Sequence, residues 1–131
     1  MDKIHYNRTI QDLDGEELGE PEFSSHVVTE CHRLRKIPLR DMTVENVRLL
    51  LGQGVGTEYL VPLALEFIQE NPWVQGDFCA GDLILQLLNI PDYWNDHPDH
   101  LHELSCAISE MREQSVRFRS EIEPAWQKLY T

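Results

Sequence analysis

The chain has 131 residues, 23 of them acidic and 11 basic, for a formal net charge of −12. A chain of that length folds as one domain and buries roughly two thirds of its unfolded surface, so it needs neither disulfides nor metal to hold a core. The negative field repels nucleic acid, anionic lipid and phosphate-rich ligands, and it favours a cationic protein partner.

Cys31, Cys79 and Cys106 are odd in number and form no C-x-x-C pair, so neither a closed disulfide framework nor a thiolate zinc site is indicated, and reduced thiols in a cytoplasmic protein are expected. The N-terminal residues lack the apolar core of a secretory leader, and no run approaches the roughly 18 apolar residues of a membrane span. Residues 1–22 crowd Asp12, Asp14, Glu16, Glu17, Glu20 and Glu22 among Gly15, Gly19 and Pro21, which predicts a short, weakly structured acidic arm before a helical domain at 23–131. Ser24 and Ser25 then open a helix that runs to about Lys36, with Val27, Val28, Cys31 and Leu34 on an inner face. His32, Arg33, Arg35, Lys36 and Arg40 form a basic patch suited to supporting the fold by bridging to the acidic arm or by serving helix C-termini.

Ile37 precedes Pro38 and so leaves the helical region, and Thr43 is the expected cap of the next helix, its hydroxyl accepting from the Asn46 amide. Glu45 adds favourable first-turn charge, and Val44, Val47, Leu50 and Leu51 repeat at helical spacing. Gly52, Gly54 and Gly56 form a connector; it follows a helix rather than a strand and lacks the spacing of a nucleotide loop. The segment from Thr57 to Asn71 is the centre of the chain. Leu60, Leu63, Ala64, Phe67 and Ile68 make one apolar stripe, while Glu58, Glu66 and Glu70 line the other side. Such like-charged neighbours cost a helix a few tenths of a kcal/mol per pair, so an external partner is the natural reason for them. Pro62 removes one hydrogen bond near the start of this helix and is expected to bend it.

Trp73 and Phe78 sit in the following turn and are expected to cap the core. Asp77 and Asp82 suit either the start of the next helix or a partner surface. That helix carries Ala80, Leu83, Ile84, Leu87 and Leu88 inward. Pro98 begins another, with Leu101, Leu104, Ile108 and Met111 inside, and a last segment from about Gln114 to Tyr130 carries Pro124 as an expected kink. No run alternates, so the expected fold is all-α, a single compact domain of five or six helices. His97, His100 and His102 lack metal-ligand spacing, Cys31 and Cys106 fall on apolar faces, and no nucleophile signature occurs. No catalytic residue, metal or cofactor is expected.

The runs 33–50, 52–66 and 76–83, above all Gly52-Gln53-Gly54-Val55-Gly56-Thr57-Glu58-Tyr59-Leu60-Val61-Pro62-Leu63-Ala64-Leu65-Glu66, resemble the immunity proteins of contact-dependent growth inhibition systems over about residues 8–95. Cys79-Ala80 stands where such proteins often carry Tyr-Pro. The resemblance implies a bacterial antidote that binds and blocks the C-terminal toxin domain delivered by a sibling cell; such toxins are frequently nucleases, RNases among them, and an RNase is the expected partner here. A nuclease presents a cationic surface to phosphates, and an acidic protein fits that surface. The expected complex is 1:1 with a monomeric antidote, free of nucleic acid and membrane. Its expected toxin-facing residues are Glu58, Glu66 and Glu70, Asp77 and Asp82, with Tyr59 and Trp73 as aromatic anchors. An acidic helical adaptor that binds a basic peptide shares the same composition and is the alternative.

Overall fold

Helix α4 (Thr57–Glu70) packs against three other helices, and it buries Leu60, Val61, Leu63, Ala64, Leu65 and Ile68. Val61 and Leu65 lie outside the stripe expected from the sequence. They are buried because α4 is enclosed by three neighbours, α3 (Val44–Gly52), α5 (Asp82–Leu88) and α7 (Pro98–Gln114), rather than resting on one. The computed structural model describes residues 6–16, 25–114 and 121–129; residues 1–5, 17–24, 115–120 and 130–131, including Phe23 and Phe118, lie outside the described residues. Among the described residues the fold is all-α. Its remaining helices are α1 (Ile10–Asp14), α2 (His26–Leu34), α6 (Pro91–Asn95) and α8 (Glu123–Lys128), with a 3-10 turn at Leu39–Asp41.

Local chemistry sets the helix starts. Ser25 caps α2 by accepting from the Val28 amide, and Thr43 caps α3 as expected, with the Asn46 side-chain oxygen accepting in turn from the Thr43 amide. Pro98 opens α7, and Pro124 sits in the first turn of α8, where a missing amide hydrogen costs nothing, rather than at a kink. The helix continues through Pro62 inside α4. Helix α6 is short and opens on Pro91, and its Trp94 is buried with the indole N–H donating to the Leu87 carbonyl at 2.9 Å.

The expected weakly structured arm at 1–22 is corrected over its described part. Ile10 is fully buried, α1 carries a capping box between Thr9 and Asp12, and Asp14 accepts two hydrogen bonds from Arg35 at 2.8 and 3.0 Å. Arg35, only 5 % exposed, also donates to the Glu16 carbonyl, so the basic patch does bridge to the acidic segment. Asp14 is held below the usual carboxylate range chiefly by that guanidinium. The acidic density had masked the two apolar positions, Ile10 and Leu13, that dock the segment.

Three further expectations are corrected. Val27 and Val28 are 36 % and 39 % exposed, because α2 meets the core only through its later turns at Cys31 and Leu34. Cys106 is exposed, while Cys31 is buried and its thiol pushed up by desolvation. Phe78 does not cap the core; it stands 72 % exposed, whereas Trp73 does pack against the core.

Gly56, the residue before α4, has φ +65°, and a Cβ there would lie 2.7 Å from Ile10 Cδ1. Gly56→Ala therefore combines a left-handed backbone with overpacking against a buried side chain, and it is expected to cost about 2 kcal/mol. Urea unfolding checks this, and an unchanged midpoint would contradict the tight seating of α1 on the start of α4.

Candidate functional site

The loop between α4 and α5 is built on carboxylates. Asp82, the first residue of α5, is 7 % exposed, and its Oδ1 accepts from the Gly76 amide at 2.7 Å. Its Oδ2 accepts from the Phe78 and Cys79 amides at 3.1 and 3.4 Å. Glu45 on α3 accepts from the Asp77 amide at 2.9 Å and from Arg48 Nε at 2.7 Å. Four successive amides, of residues 76 to 79, are thus each fixed by a side chain of a neighbouring helix. A Cβ at Gly76 would fall 2.5 Å from Glu45 Oε1, so a larger residue there pushes the Glu45 carboxylate away from the brace. Gln75 and Ala80 close the loop as an isolated antiparallel bridge.

Arg48 completes the arrangement. It pairs with Glu45, lies 4.0 Å from Asp82, and stacks its guanidinium 4.4 Å from the centre of the Phe78 ring. Glu45 is held below the usual carboxylate range, first by the Arg48 hydrogen bonds and then by the Asp77 amide, against an opposing contribution from burial. Asp77 and Phe78 are left on the outside of this frame, both exposed.

The residues expected to face a partner divide into two groups. Glu58, Glu70 and Asp77 are exposed, and the ion pairs among the described residues engage Asp14, Glu30, Asp41, Glu45, Asp82 and Glu123, leaving these three out. The others have internal work. Glu66 accepts from the Tyr6 hydroxyl, the Tyr59 hydroxyl donates to the Leu13 carbonyl at 3.2 Å, and Trp73 Nε1 donates to Gln114 at 3.2 Å. Asp82 holds the loop from beneath. Asp77 and Asp82 meet at that loop, while the α4 carboxylates look elsewhere: Glu66 and Glu70 raise the Tyr6 hydroxyl, and Glu58 acts on Tyr93.

Tyr93 stacks on His97, ring centres 3.9 Å apart, and its hydroxyl meets His100 Nδ1 at 2.7 Å. Burial first, then Glu58 and Glu103, push its pKa up to about 12. A tyrosine whose folded pKa is raised contributes stability that is complete below its ordinary value of about 10 and disappears as pH rises through the folded value. Wild-type protein is therefore expected to lose stability to urea between about pH 10 and about pH 12, and Tyr93→Phe to lose less over the same interval. Parallel losses would contradict the assignment. Tyr93, His97 and His100 thus form one stack, while His102 is exposed and lies against Cys106. Among the described residues no group of three or more His, Cys, Asp or Glu is placed to hold a metal ion, and no helix is long and apolar enough to cross a membrane.

Sequence reasoning missed Phe78, Glu45 and Arg48 as a unit. The available signals were an aromatic residue directly after Gly76-Asp77 and a Glu45/Arg48 pair at i,i+3 on a helix face.

An all-α domain with exposed carboxylates and one exposed aromatic ring on a braced loop has the surface of a protein that binds another protein. The chain belongs to the family of CDI immunity proteins, whose family model matches residues 12–104. It is an immunity protein that neutralises a contact-dependent growth inhibition toxin. No curated protein and no solved structure matches the chain.

Proposed function

We propose that this immunity protein is a non-catalytic, cytoplasmic monomer that binds the cognate C-terminal toxin domain 1:1 and covers a cationic, phosphate-binding surface of a nuclease, with an RNase the best fit. Glu58, Glu70 and Asp77 make the direct contacts. Glu66, Tyr59, Trp73 and Asp82 hold the α4 face and the loop in position for them. The observation that carries this reading is the set of exposed carboxylates outside the ion pairs of the described residues, on a chain of net charge −12. An enzyme that binds a polyanion must concentrate positive charge where the polyanion lies, and a protein of opposite sign is drawn to the same place.

The experiment is an RNA and DNA degradation assay with the purified toxin domain, alone and with equimolar immunity protein, alongside light scattering of the mixture. RNA cleaved by the free toxin and spared in a 1:1 complex is the expected result. A free toxin that leaves both nucleic acids intact would overturn the nuclease reading, and cleavage that continues in the complex would overturn inhibition by surface coverage.

A further inference from the structure

We propose that loop 75–80 is a preformed plug whose Phe78 ring enters an apolar recess on the toxin domain, with Asp77 pairing to a cationic side chain at the rim of that recess. The inference rests on the reading of the toxin as a cationic protein, and it names the residue that gives the encounter its grip.

Phe78 is the outlier of the surface. Among the described residues it is the most exposed large apolar side chain, at 72 %, and both other exposed ones sit at 36 % and 39 % on α2. An aromatic side chain is a large apolar surface whose burial commonly dominates an interface, so leaving it in water is unfavourable in the free protein unless a partner covers it. The loop that carries it is not loose chain that happens to point outward. The amides of Gly76, Asp77, Phe78 and Cys79 are all taken by Asp82 or Glu45, so the backbone is ordered before any partner arrives. The entropy of ordering a contact loop is one of the principal costs of association, and here it is met on folding. Arg48 backs one face of the ring at 4.4 Å and is itself fixed by Glu45, which limits the ring's freedom and leaves its other face to the solvent. Asp77, exposed and outside the ion pairs of the described residues, stands next to the ring, so a recess rimmed by lysine or arginine complements both residues at once. A nucleic acid is disfavoured as the occupant by the charge of the chain, and a basic rim is what the proposed toxin surface supplies.

The test compares wild-type protein with Phe78→Ala and Phe78→Leu for binding of the purified toxin domain, by surface plasmon resonance at low, physiological and high salt, together with urea unfolding of each. Phe78→Ala is expected to weaken binding roughly 30-fold or more, almost entirely through faster dissociation, with an unchanged association rate and an unchanged urea midpoint. Phe78→Leu is expected to recover part of the loss. Tight, salt-sensitive binding by wild type with equal affinity in Phe78→Ala would overturn the plug while leaving the charge-based reading standing. Wild-type binding that is insensitive to salt would overturn the charge-based reading, and a loss confined to Phe78→Ala under that condition would show the plug alone.

Discussion

Asp82→Ala is expected to lower the stability of the fold by roughly 3–5 kcal/mol, the largest loss from any change outside the apolar core. The carboxylate is buried and accepts from three backbone amides, at 2.7, 3.1 and 3.4 Å, while Arg48 lies 4.0 Å away. Hydrogen bonds to a charged acceptor contribute roughly 1.5–3 kcal/mol each and are not additive, and removal of the acceptor leaves the donors in a partly buried loop with nothing to replace it. Asp82→Asn presents an amide group that opposes one set of donors with donors of its own, and it is expected to fall between the two. Equilibrium urea unfolding gives the comparison. A loss under about 1 kcal/mol for Asp82→Ala would mean that the loop is held by something other than this carboxylate.

The second large effect is on binding. Replacing Glu58, Glu70 and Asp77 together by lysine is expected to weaken toxin association by roughly 10- to 1000-fold, because it removes steering charge and reverses its sign at three exposed positions. The three are exposed and stand outside the ion pairs that support the fold among the described residues, so the helical circular dichroism and the urea midpoint are expected to hold. Glu66→Lys is a poorer probe, since it also breaks the hydrogen bond from Tyr6 that ties the N-terminal segment to α4. Unchanged affinity in the triple variant would take these carboxylates out of the interface.

The extent to which the sequence displayed these features follows the range of the interactions involved. The helices α2, α3, α4, α5 and α7 announce themselves through apolar spacing and through caps such as Thr43, because both signals lie within a few residues of the element they define. Helix α1 was hidden because its partner, Arg35, is 21 residues further along the chain and its own composition is that of a solvated acidic run. Val61 and Leu65 required knowledge that α4 has neighbours on several sides. In the candidate site, the exposed acids were legible as a charge pattern. The division between those that face outward and those that brace the fold was not, since Tyr6 lies 60 residues from Glu66 and Leu13 lies 46 from Tyr59. Asp82 was open to either role from the sequence, and burial assigns it to the loop. Phe78 was misplaced because an isolated apolar residue in a turn normally faces the core, and only the carboxylate frame beneath the loop turns it outward.

Attraction between an acidic antidote and a cationic toxin is the central step of the proposed function. The most direct measurement is the association rate of the purified pair by stopped-flow fluorescence as ionic strength is raised. The rate is predicted to fall steeply, by about tenfold or more between low and high salt, as screening removes the steering field. A rate that stays flat across that range would contradict it.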